Sequence, residues 1–479
     1  MLYPTAVHQV LEHLGGRLYA GAGPLRGTGD VAAGRFIERV VTDSARVVPG
    51  SLFVALRGRR RHGVEFLAEA AARGAAAVLT DSVPSEAEGS LAGPESPALI
   101  VVPDALVALQ RLALWNRNQS DALCVGITGS VGKTTTRQMI YSVLSQQQAA
   151  LQSSANFNNE IGLPLTLLEL DREHRFAVLE MGAGRAGDIR FLCGLARPSW
   201  GVVTQVAPCH LESFGSLQAI QATKQELVEE IPPDGCVFLC ADQAEVSSMS
   251  RVTAAKVLYF GVQAEGFGRC RMLNSEGGRS WIWCGGDEFE YEGGQQLMLC
   301  AAAAVCTGRA AGMTAEQIAA GLRQFRPDRG RGRLLRAGDW QILDETYNSS
   351  PASALACLRS IVSWRGVRRV LVLGDMLELG AGARAMHCEV ASALCGSAVD
   401  VAVFCGKFGA DCTAAARDAG FPADRLYAAA DNQELQSLLS ELLLPGDVVC
   451  IKGSRGLRLE QTVDWLLREA ADRGGQVMP

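Results

Sequence analysis

Among its 15 cysteines the 479-residue chain has no C-x-x-C pair, which removes zinc ribbons and thioredoxin-like redox motifs from consideration. The cysteines are scattered instead through apolar or helical surroundings, as at Cys124, Cys300, Cys306, Cys357, Cys395 and Cys450. That is the usage of reduced, buried small hydrophobes in a cytosolic protein. No uncharged apolar run reaches membrane-spanning length. Residues 1–16 lack the basic start and apolar core of a signal peptide, so a cytoplasmic protein without membrane insertion is expected. An excess of positive charge is missing too: the net charge of −6 argues against nucleic acid as a partner. Neither an internal repeat nor a low-complexity tract occurs. A hydrophobic content of 48% with 20% charged residues excludes disorder as the main state.

What is present is enough chain for two to four cores. Residues 1–105 read as a small α/β unit. A helix over Ala6–Leu14 and a strand over Leu52–Leu56 come first, then a helix over Phe66–Ala72 and strands over Ala76–Thr80 and Leu99–Val102. The Pro-, Ser- and Glu-rich stretch Ser82–Pro97 reads as a surface loop. Residues 106–326 alternate strands and helices, which implies a mostly parallel sheet. Strands are expected at Leu123–Ile127, Phe176–Leu179 and Gly201–Val206, short antiparallel edge pieces within Leu258–Glu292, and a small-residue helix over Gln295–Gly312. The basic run Arg326–Arg333 reads as a linker. Residues 327–479 repeat the rhythm as a Rossmann-like domain, with strands near Gln341–Leu343, Val370–Leu373, Val399–Cys405 and Asp447–Lys452. The fold class is therefore α/β in three domains.

The stretch L-C-V-G-I-T-G-S-V-G-K-T-T-T-R-Q-M from Leu123 organises the rest. An apolar strand runs into a glycine-punctuated turn and then a helix, the layout of a phosphate-binding loop. Gly129, Ser130, Val131 and Gly132 would turn backbone N–H groups toward an anion, supported by the helix dipole. Lys133 would reach the β- and γ-phosphates, and Thr134, next to Thr135, would ligate the accompanying magnesium. Ile127 stands where the strict pattern has its first glycine, so the match is to T-G-x-x-G-K-T-T.

Other polar groups follow strands, where parallel sheets place ligands. Glu180 suits magnesium, or is an ordinary strand-end carboxylate. His210 sits in a turn, where histidine is more often structural. Lys224 lies in a helix, and its plainest reading is an exposed lysine. Asp344–Asn348 could form an Asx-type turn. Lys452-Gly453-Ser454-Arg455 could cup an anion or merely cap a helix. The two basic clusters, Arg57–Arg61 and Arg326–Arg336, could each face an anionic ligand or only solvent.

In order, the chain carries D-S-x-x-V-x-P-G-x-L-F-V-A-L-x-G (from Asp43), the phosphate loop, N-x-N-N-E-I-G-L-P-L-T-L-L (from Asn156) and L-E-M-G (from Leu179). H-L-E-S-F-G-S (from His210), Y-N-S-S-P-x-S (from Tyr347), G-D-M-L-E-L-G (from Gly374) and K-G-S-R (from Lys452) follow. Over nearly its whole length it resembles the Mur ligases, in particular the branch that joins D-Ala-D-Ala to UDP-MurNAc-tripeptide.

The resemblance implies an N-terminal domain for the UDP substrate, a central ATP domain and a C-terminal ligase domain. It further implies a monomer that works by domain closure. It assigns ATP phosphates to Gly129–Thr135, a first magnesium to Thr134 and Glu180, and a second to His210 and Lys224, the lysine being carbamylated. Lys133, Lys224, His210 and Glu180 would be the catalytic set. Arg333 and Glu345 would contact the nucleotide, and Ser44, Asn159, Asn348 and Ser350 the substrates. Departures from the family pattern at Ala45, Val64, Gln296 and Cys300 fall on regions that read uridine and adenine. They leave open a related ligase with another acceptor or amine, or a non-catalytic nucleotide-binding relative.

Overall fold

The structure, a computed structural model, describes residues 5–20, 23–24, 35–58, 60–82, 96–154, 156–209, 211–364, 366–472 and 477–478. Two compact units divide the chain. The first takes Met1–Gly126, Gln148–Gly182 and Asp188–Trp200; the second takes Ile127–Gln147, Ala183–Gly187 and Gly201–Pro479. Most of the expected Ser82–Pro97 loop lies outside the described residues.

In the first unit a six-stranded sheet runs in the order Gly23–Pro24, Arg17–Ala20, Ala98–Val101, Ala77–Thr80, Ser51–Ala55, Arg39–Val41. The last four strands pair in parallel. The apolar runs of three of them, Ser51–Ala55, Ala77–Thr80 and Ala98–Val101, are buried along almost their full length, as strands covered on both faces require. The helix Ala105–Arg117 starts where Asp104 caps it by accepting from the Val107 N–H at 2.9 Å. Its buried end is held by polar groups: Asn116 Nδ2 donates to the carbonyls of Leu167 and Leu170 at 2.8 and 3.2 Å, and Arg117 Nε to that of Ala196 at 2.7 Å.

In the second unit the helix Lys133–Leu144 packs on two others, Met298–Ala310 and Ala315–Gln324. The approach is close because small residues face it. A Cβ on Gly321 would lie 2.5 Å from Val143 Cα, and Ser142 Oγ donates to the Gly321 carbonyl at 2.7 Å. A seven-stranded sheet forms the end of the chain, ordered Leu426–Ala429, Val401–Cys405, Arg369–Gly374, Val448–Lys452, Trp340–Glu345, Arg333–Ala337, Val477–Met478. Its first five strands are parallel and the last two antiparallel.

Three expectations need correction. The pieces within Leu258–Glu292 are not one antiparallel edge. Lys256–Phe260 pairs in parallel with Cys236–Cys240, whereas Cys270–Glu276, Arg279–Cys284 and Asp287–Glu292 form a separate three-stranded meander. Glycine pairs at the two meander turns, Gly277-Gly278 and Gly285-Gly286, all have positive φ and set its tight hairpins. Second, the linker's last residue, Arg333, begins a strand paired with Trp340–Glu345. Third, the strand from Trp200 ends at Val203. Beyond it, the Gln205 carbonyl accepts from the Ser130 N–H at 2.6 Å and the Val206 N–H goes to Gln243 Oε1 at 2.9 Å, so neither group is left for a ladder.

The C-terminal sheet is tied at its Asp447 end by a two-pronged ion pair. Arg368 Nε and Nη2 reach Asp447 Oδ1 and Oδ2 at 3.0 and 2.7 Å, and the carboxylate also accepts from the Leu444 N–H at 2.9 Å. Asp447 is fully buried, so removing its partner strands a charge in a dry site. Arg368→Ala should therefore cost about 3 kcal/mol of the C-terminal unit's stability, read from the shift of its urea unfolding midpoint.

Candidate functional site

The turn between Thr128 and Lys133 is shaped by two glycines with positive φ, Gly129 at 145° and Gly132 at 87°. At Gly129 a side chain is excluded twice over. The φ is outside the range of L residues, and a Cβ would collide with Thr204 Oγ1 and lie 3.0 Å from the Gln205 N. Thr204 explains the closeness, because its hydroxyl bonds the Val131 carbonyl at 2.7 Å and the Thr128 carbonyl at 3.3 Å. Ser130 is anchored on the other side, its Oγ donating to the Ala207 carbonyl and accepting from the Ala207 N–H, both at 3.0 Å. With these carbonyls engaged by side chains, the turn leads directly into the N-terminus of the helix Lys133–Leu144. Lys133 Nζ curls over it to the Gly129 carbonyl at 2.8 Å. Thr134 and Thr135 are buried in the first turn of that helix. The seven loop residues singled out in the sequence thus come together in one turn at a helix N-terminus, a geometry suited to cradling an anion.

Cys300 closes the cradle from behind. Its Sγ lies 3.9 Å from the Gly132 carbonyl, and burial pushes its thiol up to about 11. Gln296, another departure, reaches Glu345: its Nε2 donates to Oε1 at 3.2 Å. Lys452, buried, bridges from the other side, to Glu345 Oε2 at 3.4 Å and to the Asn348 carbonyl at 3.0 Å. Arg333 pairs through its backbone with Asp344, the neighbour of Glu345. Asp344 is fully buried and accepts from the Thr346 N–H and hydroxyl at 3.2 and 2.6 Å, the expected Asx-type turn. Asn348 Oδ1 accepts from the Ser349 N–H at 2.9 Å, and Ser350 caps the helix Pro351–Ser360. Glu345, Asn348 and Ser350 therefore follow one another from the end of the strand Trp340–Glu345 to the start of the next helix, with Arg333 on the strand paired beside them.

Lys224 departs from its plainest reading. It is 3% exposed on the helix Leu217–Glu229, with Nζ 5.8 Å from the Phe214 ring centroid. His210 lies outside the described residues.

The first unit carries the remaining candidates. Glu180 ends the strand Phe176–Glu180, is 3% exposed, and accepts from Asn158 Nδ2 at 2.8 Å while its own N–H bonds Ser153 Oγ at 3.1 Å. Asn159 Oδ1 accepts from the Gly162 N–H at 2.9 Å, at the start of the helix Gly162–Leu167. Ser44 donates to Glu69 Oε2 at 2.7 Å, and Arg73, bound to Glu69, also holds the Ala45 carbonyl at 3.2 Å. Next to Val64, His62 has one ring nitrogen on Asp81 at 2.9 Å and the other accepting from the Val64 N–H at 3.1 Å.

Sequence reasoning missed Thr204, Asn158 and the Gln296–Glu345–Lys452 chain. Thr204 was findable by the strand-end rule that found Glu180. The chain of contacts joins residues far apart in sequence and left no local signal. Among the described residues no cluster of three or more His, Cys, Asp or Glu forms a ready metal site. The Thr134 hydroxyl and Glu180 carboxylate are nonetheless hard oxygen donors of the kind magnesium takes alongside phosphate and water.

Three family profiles match the chain: the Mur ligase family catalytic domain over residues 36–114, the Mur ligase middle domain over 127–292 and the Mur ligase glutamate ligase domain over 330–455. The chain is 32% identical over 437 residues to the UDP-N-acetylmuramoyl-tripeptide–D-alanyl-D-alanine ligase of Bacillus subtilis, covering 90% of this chain and 93% of that one. It is 34% identical over 443 residues to the ligase of the same name from Synechocystis, covering 90% and 92%. In three dimensions it is similar to the crystal structure of MurF from Acinetobacter baumannii, with a TM-score of 0.84, 26% identity, and 98% and 99% of the two chains covered. It is also similar to the MurF ligase from Thermotoga maritima in complex with ADP, with a TM-score of 0.75, 26% identity, and 91% and 98% covered.

The crowding at Gly129 gives a direct test of the cradle. Gly129→Ala should weaken nucleotide binding by about a hundredfold or more, since the turn must open to admit the methyl group. Titration with a fluorescent ADP analogue measures it, and binding within a few-fold of the parent would refute the role.

Proposed function

The chain belongs to the Mur ligase family, and from that premise we propose that it uses ATP to join D-alanyl-D-alanine to UDP-N-acetylmuramoyl-tripeptide in the synthesis of peptidoglycan precursors. The observation that carries the reading is the pinned turn at Gly129–Lys133, with Lys133 Nζ 2.8 Å from the Gly129 carbonyl at the head of a helix. In this reading residues 1–105 take the UDP substrate, 106–326 take ATP, and 327–479 complete the site.

The tripeptide carboxylate attacks the γ-phosphorus of ATP in line, and ADP leaves to give an acyl phosphate. The amine of D-Ala-D-Ala then adds to the acyl carbon, and the tetrahedral intermediate expels inorganic phosphate and a proton to leave the amide. The protein's share is positioning and charge neutralisation. The loop amides from Gly129 to Thr135 hold the β- and γ-phosphates. Lys133 exchanges a loop carbonyl for a γ-phosphate oxygen, so its charge is used most as phosphoryl transfer proceeds. Thr134 and Glu180 would hold a first magnesium, and His210 and Lys224 a second; when bound, the ions neutralise phosphate charge.

Lys224 fits that task only after modification. An uncharged lysine amine adds carbon dioxide to give a carbamate and a proton, which turns the side chain into an oxygen donor. Arg333, Glu345, Asn348 and Ser350 would face the nucleotide and the substrates from the last domain. Ser44 and Asn159 are the corresponding candidates in the first unit.

Phosphate release from ATP should require both UDP-MurNAc-tripeptide and D-Ala-D-Ala; release with a different amine instead would assign a sibling activity. Lys133→Ala should lower kcat by at least about a thousandfold, the scale of lost charge stabilisation at a developing anion, while near-normal turnover would refute the loop's role. Lys224→Ala should lose activity and regain part of it with added formate or acetate. Labelled bicarbonate should give a carbamate resonance in the parent protein and none in the variant. Absence of both the rescue and the resonance, in a folded variant that binds ATP, would sink the carbamate.

A further inference from the structure

The basic linker after Arg326 is only partly explained by the fold. Arg326 pairs with Glu292 at 3.2 Å, and Arg329 pairs with Asp464. Arg331 instead lays its guanidinium carbon 3.6 Å from the centroid of the Tyr347 ring. A second cation, Arg455 of the K-G-S-R turn, comes within 5.2 Å of the same centroid. Among the described residues neither guanidinium has a carboxylate partner, unlike Arg326 and Arg329. A stacked guanidinium offers its face to the ring and keeps its N–H donors in the plane, free for a fork-like grip on a carboxylate or phosphate. Two like charges sharing one ring also repel each other, a cost that an anion between them would offset.

The place of the pair narrows the choice of anion. Tyr347 is fixed by its N–H to the Gly330 carbonyl at 3.0 Å, and Gly330 by its N–H to buried Asp344 at 2.8 Å. Arg455 follows Lys452, which bridges Glu345 and the Asn348 carbonyl. The pair thus flanks Tyr347, which lies between Glu345 and Asn348. Under the functional reading above, on which this inference rests, the triphosphate has its own cradle and the UDP group its own domain. The remaining substrate, the dipeptide, carries one free carboxylate. We propose that Arg331 and Arg455, set around Tyr347, form the recognition pair for the terminal carboxylate of the incoming dipeptide.

The test uses the full chain with ATP and UDP-MurNAc-tripeptide, and compares D-Ala-D-Ala with D-alanyl-D-alaninamide, which lacks the carboxylate. The parent should show a KM for the amide about tenfold or more above that for the dipeptide, the scale of a lost charge-assisted contact. Arg331→Gln and Arg455→Gln should each raise the dipeptide KM by a similar factor and leave the amide KM and the ATP KM nearly unchanged. Arg455 is exposed, so its variant should keep the parent melting temperature and separates recognition from folding. Variants that still discriminate like the parent would overturn the pair alone. So would variants that raise the KM for ATP or for the UDP substrate instead, because the anion would then be a phosphate or a carboxylate of the tripeptide. No phosphate release from the parent with either amine would overturn the functional reading and the pair together.

Discussion

One threonine hydroxyl holds the arrangement on which the chemistry depends. By bonding the carbonyls of Thr128 and Val131, Thr204 takes up acceptors that would otherwise sit beside a polyanion. A phosphate-binding turn works only if its carbonyls are occupied elsewhere, since an N–H and a C=O come in equal number along any backbone. Ser130, bonded to both polar groups of Ala207, anchors the turn on the opposite side. The two glycines are what let the chain fold tightly enough for those side chains to reach.

The turn is rigid for a reason that lies further along the chain. The helix that follows it is clamped by two others through Gly321 and the alanine-rich face of Met298–Ala310. A helix so closely packed cannot shift to accommodate its ligand, so the N–H groups are oriented before nucleotide arrives. That pre-organisation is the larger part of what a phosphate site contributes to rate.

Much of this was legible in the sequence. The strand, the glycines, Lys133 and Thr134 follow local rules that fix local geometry, and the parallel strands of the three large sheets show as short apolar runs. Where the reading failed, the cause was non-local. The meander at Cys270–Glu292 looked like a sheet edge because alternation does not say which sheet a strand joins. Arg333 looked like linker because its pairing with Asp344 is set by the strand that follows. Lys224 looked exposed because a lysine on an amphipathic helix usually is, and only the tertiary packing put it at 3% exposure. Gln296 and Cys300 read as losses from a family pattern, yet each makes a contact of its own, to Glu345 and to the back of Gly132.

That last contact has an electrostatic outcome. A sulfur atom 3.9 Å from the Gly132 carbonyl would be a poor neighbour for triphosphate if it ionised. Because burial lifts the thiol to about 11, it stays protonated through neutral and moderately alkaline solution. The wall behind the Gly129–Lys133 turn is consequently uncharged and blind to proton concentration over that range, so this sulfur adds no repulsion to an anion held there.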